Sequence, residues 1–217
     1  MEEQATKTFN ELAKLGVVSV EGYLNNFYRI LQKVKVDYCP LLESTSELVI
    51  TLENGINLVI NDLKQSVLEN WKRLMVIGNG GSAAIAIHTL TDYANAGGLR
   101  TMDFMSPSLL TCMGNDYGFE NVFAKPVEIW ADNGDILFAI SSSGKSSNIL
   151  KACQAAREKG CLIYTFSGFD PGNPLRSLGR LNFYVPSTHY GFVELAHQTL
   201  IHCILDLFLL RKTQNWQ

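Results

Sequence analysis

Apolar positions recur at intervals of three and four through the first part of the chain. Phe9, Leu12, Leu15 and Val18 form one such series, and Tyr23, Phe27, Ile30, Leu31 and Val34 another, which is amphipathic helix spacing. Pro40 breaks the pattern, and a second helical run is predicted from about Leu42 to Trp71, carrying Leu48, Leu52, Ile56, Val59, Leu63 and Val67. No strand-like alternation interrupts these residues, so they read as helices that cap a core or meet a partner subunit. From residue 72 the texture changes. Arg73 to Ile77 is a short apolar run closed by Gly78-Asn79-Gly80-Gly81-Ser82, and helix-period residues follow from Ala83 to Tyr93. Asp135 to Ile140 is a second run, ending in Ser141-Ser142-Ser143-Gly144 before a predicted helix from about Ser146 to Lys159. Cys161 to Phe166 and Leu181 to Val185 are further buried strands, Arg100 to Phe104 a weaker one, and a final helix is expected from about Phe192 to Arg211. Apolar strands alternating with helices predict a three-layer, doubly wound α/β domain with a parallel sheet covered on both faces.

With 217 residues, 47% of them hydrophobic and 18% charged, the chain suits one core. The expected organisation is a helical extension over residues 1–71 and an α/β domain over 72–217. The balance of 18 basic against 21 acidic residues, net −3, argues against a broad nucleic-acid face, which needs a basic excess. Cys39, Cys112, Cys153, Cys161 and Cys203 are scattered, form no C-x-x-C, and follow no secretory pattern at the start of the chain. Free thiols in a reducing cytoplasm are the expectation. The most apolar stretch, Leu200 to Leu210, is interrupted by His202 and Asp206 and falls short of the ~20 residues that span a bilayer.

Ligands of such sheets bind beyond the carboxyl ends of the strands, where both small-residue loops lie. Glycines at 78, 80 and 81 allow close backbone approach, and the following helix presents unpaired amides and a positive dipole end. Ser141, Ser142, Ser143 and Ser146 add hydroxyl donors, a cradle for one phosphate monoester. Two ordinary turns with helix caps would be the bland alternative. Neither loop matches G-x-G-x-x-G or G-x-x-x-x-G-K-[ST], which disfavours a nucleotide enzyme. His88 and Asp92 stand at i and i+4 on one helix face, while Glu194, His197, Gln198 and His202 share the last helix. Two imidazoles with two carboxylates suit Zn²⁺ or a similar ion. A lone histidine, by contrast, is usually a packing residue.

Taken together, Gly78-Asn79-Gly80-Gly81-Ser82, His88, Gly114-Asn115-Asp116-Tyr117-Gly118-Phe119 and Ser141-Ser142-Ser143-Gly144 resemble the sugar isomerase (SIS) domain, and within it the phosphoheptose isomerase group. The resemblance covers about Arg73 to Leu210. It implies a flavodoxin-like sheet, a homotetramer with sites at subunit interfaces, and conversion of sedoheptulose 7-phosphate to an aldose phosphate for surface-polysaccharide heptose. By position it implies phosphate binding by Ser141, Ser142, Ser143 and Ser146, with Asn79, Gly80, Gly81 and Ser82 from the first loop and Asp116 near the sugar. It further implies Asp92 as base, His202 as acid, and a zinc set of His88, Asp92, Glu194 and His202, with Glu194 also near the substrate. Asp92 stands where the family has glutamate and Glu194 where it has glutamine. The expected partners are therefore a small phosphosugar and further copies of the chain, with neither membrane nor nucleic acid. A non-catalytic relative that senses a phosphosugar or binds a protein, such as the bacterial replication initiator, is the alternative. So is an isomerase of a different sugar phosphate.

Overall fold

The computed structural model describes residues 12–38 and 50–216. Expectations resting on Phe9, Cys39, Pro40, Leu42 and Leu48 lie outside those residues. The first helix described in full, α1 (Val20–Leu31), is capped by the Ser19 hydroxyl, which accepts from the Gly22 amide at 3.0 Å. Strand β1 (Lys35–Tyr38) follows, then α2 (Leu52–Asp62), which continues as a π-helical segment over Leu63–Glu69. The α/β core runs β2 (Leu74–Ile77), α3 (Gly81–Asn95), β3 (Thr101–Met102), α4 (Pro107–Tyr117), α5 (Ala124–Trp130), β4 (Ile136–Ser141), α6 (Ser147–Glu158), β5 (Leu162–Ser167), β6 (Leu181–Tyr184) and α7 (Tyr190–Thr213).

One six-stranded sheet has the order β1-β6-β5-β4-β2-β3. Five strands are parallel, and the predicted doubly wound architecture holds for them. β1 is the departure: it pairs antiparallel with β6, Lys35 facing Tyr184 and Tyr38 facing Leu181, in a stretch read as free of strands. One exposed residue followed by three half-buried ones gives no period-two signal beside the helical series of α1. Asp37 fixes this edge, accepting from Arg176 Nε at 2.7 Å and Nη2 at 2.8 Å.

Every position of β2, β4 and β6 is buried, as continuous apolar runs between two helical layers require. Across neighbouring strands Phe138 meets Phe166 edge to face at 5.6 Å between centroids, and Phe166 stacks on Phe183 at 5.1 Å. Ile56, Val59, Ile60, Leu63 and Val67 belong to this main core, so α2 and its π-helical extension are packing elements of the domain. Ile30 of α1 joins a smaller cluster with Val185, Phe192, Val193 and Ala196. The final helix has the length and apolar composition of a membrane span, but it packs against α1, α2 and α3 and buries Phe192, Leu200, Ile204 and Phe208 within the domain.

Candidate active site

β3 lies on one side of β2 and β4 on the other, so the chain runs outward from β2 to β3 and then crosses back past β2 to β4. That reversal opens a crevice above the carboxyl ends of β2 and β4. A cleft of about 260 Å³ fills it, lined by Asn79, Gly80, Gly81, Ser82, Ile140, Ser141, Ser142, Ser143, Ser146, Tyr190 and Glu194. Every residue expected at the phosphate from the two loops is there, while Asp116 is not among the lining residues. Asp116 stands exposed on α4, accepting from Asn115 Nδ2 at 2.8 Å and from the Cys112 thiol at 3.6 Å.

The cleft is built from two helix starts. Gly80 caps α3 with φ +55°, and Ser146 caps α6; neither cap side chain accepts from its own first-turn amides. Ala83 and Ile149 already donate to the Gly80 and Ser146 carbonyls, so the amides that precede them in each first turn are the ones available to a ligand, with the positive ends of both helices behind them. A Cβ on Gly80 would meet open space, whereas one on Gly81 would lie 2.5 Å from the Glu194 carboxylate. Asn79 and Asn148 exchange two amide hydrogen bonds of 2.9 Å, joining the loops. Ser141 and Ser146 hydroxyls lie 3.3 Å apart, and the Ser143 hydroxyl accepts from the Lys145 amide at 3.2 Å. The Ser142 hydroxyl is buried without a hydrogen-bond partner among the described residues, an expensive state that an acceptor oxygen of a ligand could relieve. Among the described residues no lysine or arginine lines the cleft, and burial raises the Glu194 carboxyl above its ordinary value.

A second centre lies further along α3, where it packs against α7. Where α3 crosses α7, Asp92 Oδ2 is 3.1 Å from His88 Nε2 and 3.9 Å from His202 Nδ1, and the two rings are 5.2 Å apart. Ligand atoms of the three residues lie within 4.8 Å of one another. Two nitrogens and a carboxylate oxygen in that volume are a metal-compatible group, three protein ligands with room for an exchangeable one. Tyr93 steadies the crossing: its hydroxyl donates to the Ile201 carbonyl at 2.8 Å, and burial keeps its phenol protonated.

Of the four residues expected at the metal, the structure brings together His88, Asp92 and His202 and places Glu194 apart from them. Eight helical residues separate it from His202, ~12 Å along the axis, and its carboxylate rests on Gly81 in the serine cleft instead. His197 is core: buried, with Nε2–H donating to the Ser167 carbonyl at 3.2 Å and burial lowering its pKa to about 4. His189 caps α7, accepting from the Phe192 amide at 3.3 Å. Sequence reasoning missed Tyr190 and Asn148. Tyr190 stands four residues before Glu194, so their shared helix face was the available signal.

A SIS domain model matches residues 38–168. The chain is 37% identical over 177 residues to a phosphoheptose isomerase of Citrifermentans bemidjiense, covering 78% of this chain and 89% of that protein. It is 38% identical over 197 residues to the phosphoheptose isomerase of Geotalea daltonii, covering 88% and 94%. Among solved structures, the phosphoheptose isomerase of Neisseria gonorrhoeae superimposes with a TM-score of 0.71 at 27% identity, covering 87% of this chain and 97% of that one.

Proposed function

Because the chain belongs to the SIS domain family and, within it, to the phosphoheptose isomerases, we propose that it interconverts sedoheptulose 7-phosphate and an aldoheptose 7-phosphate. The observation that carries this reading is the spacing of two chemically different centres on shared helices. Ser82 and Asp92 are ten residues apart on α3, ~15 Å along the axis, and Glu194 and His202 ~12 Å on α7. An extended heptulose 7-phosphate measures about 10 Å from phosphorus to C1, at bond lengths near 1.5 Å. Hydrogen-bond reach at each end supplies the remainder. A triose or tetrose phosphate anchored at the serines would fall short of Asp92.

With the phosphate on the serine loop and the amides of α3 and α6, the remote anchor orients the chain for reaction. Asp92 is the base. Its Oδ2 faces both imidazoles, leaving Oδ1 to take the proton from C1. The C1–H electrons then form the C1–C2 double bond, and the C2 carbonyl oxygen receives a proton from His202, giving an enediol. In the second half the C1 hydroxyl returns its proton to His202 as the C1 carbonyl forms, and Asp92 delivers its proton to C2. Protons and electrons balance, and both groups end as they began. His88, Asp92 and His202 would hold the metal; we assign zinc, which takes such mixed nitrogen and oxygen sets. When bound, the ion polarises the substrate oxygens and lowers the cost of negative charge on them.

We further propose that the enzyme works in the cytoplasm as a homotetramer. The described cysteines are free thiols. Val20, Leu24 and Tyr28 lie at i, i+4 and i+8 on α1, each more than half exposed, a stripe suited to another copy. Incubating the protein with sedoheptulose 7-phosphate and following products by NMR tests the activity. Turnover that a chelator removes supports the reading; phosphosugar binding without turnover moves the protein to the sensing class.

A further inference from the structure

The segment following β5 makes three separate attachments to the serine loop. The Gly168 amide donates to the Ser142 carbonyl at 3.0 Å, the Leu175 amide to the Gly144 carbonyl at 3.2 Å, and Lys145 Nζ to Asp170 Oδ2 at 2.8 Å. Asn173 is the centre of the segment and is 3% exposed. Its Nδ2 donates to the Gly168 and Asp170 carbonyls at 3.1 and 2.8 Å and to the Ser167 hydroxyl at 3.3 Å. The three acceptors leave no ambiguity about which end of the amide is nitrogen. The other end, Oδ1, has no hydrogen-bond partner among the described residues and lies against Gly144, only 2.0 Å from where a Cβ would stand. Gly144 is held there at φ +62°, a conformation that turns the loop so that Ser142, Ser143 and Ser146 face the cleft.

A buried amide that closes the segment upon itself, and seats an unpaired oxygen on a left-handed glycine, is an uncommon use of a polar side chain. We infer that Asn173 is a positioning residue for phosphate recognition: it holds the segment from Gly168 to Leu175 as a clasp that fixes the serine loop in its binding conformation before substrate arrives. The inference rests on the serine loop being the phosphate anchor. It adds a requirement that the loop alone does not supply. A loop of three serines and a glycine has many conformations, and fixing it in advance removes an ordering cost from each binding event. Asn173 is not among the residues that line the cleft, so its role is one of positioning and the chemistry at Asp92 and His202 is not its concern.

The test uses the full chain and two probes, inorganic phosphate in a calorimeter and sedoheptulose 7-phosphate in steady-state turnover. Asn173→Ala should raise the phosphate dissociation constant and KM together by about tenfold, the scale expected when a preorganised loop must be ordered on binding. Turnover at saturation should stay within about twofold of the parent, because remote positioning is restored once phosphate is bound. Amide exchange at residues 142–146 should quicken in the free variant and return to the parent's level with saturating phosphate. Asn173→Ser, which keeps one donor in a smaller side chain, should give an intermediate rise, and it carries the test if the alanine variant does not fold. Unchanged phosphate affinity in a folded variant, or equal losses in KM and saturated turnover, overturns the clasp. A parent protein that binds no phosphate overturns the anchor assignment and the clasp with it, a result distinguishable from a failure of the clasp alone.

Discussion

A carboxylate in the cleft proposed to bind phosphate, with no basic side chain among its lining residues, has a measurable consequence. Glu194 is half-buried, rests on Gly81 and has no ion-pair partner among the described residues. Two unit charges about 6 Å apart repel by about 2–3 kcal/mol at an effective dielectric of about 20. Salt and the open mouth of the cleft bring this nearer to about 1 kcal/mol, a factor of about five in affinity. Glu194→Gln keeps the shape and removes the charge, so inorganic phosphate should bind about fivefold more tightly near pH 8, read by calorimetry. The sign of the pH dependence follows from burial, which already raises the Glu194 carboxyl; a bound anion raises it further. In acid the carboxyl is neutral and the two proteins should bind phosphate alike. As pH rises through the titration of Glu194 the parent loses affinity relative to the variant. Comparing the two proteins at each pH cancels the titration of phosphate itself. Metal content should not change, since Glu194 stands outside the group of His88, Asp92 and His202. Equal phosphate affinity at pH 8, or loss of metal in Glu194→Gln, would refute the placement of this carboxylate.

Ser142→Ala should weaken phosphate binding by about 1–3 kcal/mol while leaving thermal stability equal or slightly higher, because it removes a buried hydroxyl that lacks a partner in the free protein. His202→Ala should lose both metal, by elemental analysis, and turnover; Asp92→Asn should abolish turnover even where some metal is retained, since no base remains. His197, whose folded pKa lies near 4 against about 6.5 unfolded, withholds a proton that the unfolded chain accepts. Stability should therefore fall as pH drops from about 6.5 toward 4, by up to on the order of 3 kcal/mol, and denaturant titrations of His197→Phe should show a shallower decline.

The architecture was legible because its strands are continuous apolar runs closed by glycine or serine loops. Val76 and Ile77 before Gly78, and Ala139 and Ile140 before Ser141, mark both walls of the cleft directly. β1 was not legible, since Lys35 to Tyr38 becomes a strand only through pairing with β6 and the Arg176–Asp37 contact, made by residues 139 positions apart. Position along a helix also carried most of the candidate metal group: His88 and Asp92 share a face by spacing alone. His202 joins them through the crossing of α3 and α7, which no local pattern encodes, and the same crossing leaves Glu194 about two turns away, at the serine loop. Asp116 followed the resemblance by position, but α4 carries it on an exposed face outside the cleft.

The central claim is that the serine cleft and the histidine–aspartate group act on the two ends of one seven-carbon substrate. Its most direct test is the turnover of ketose phosphates graded by length, followed by NMR in ²H₂O before and after chelation. The account predicts isomerisation of sedoheptulose 7-phosphate with exchange of a carbon-bound proton, little or none with shorter ketose phosphates, and loss of both signals with the metal. Equal turnover of a pentulose phosphate, or turnover of the heptulose undiminished in Asp92→Asn, would contradict it.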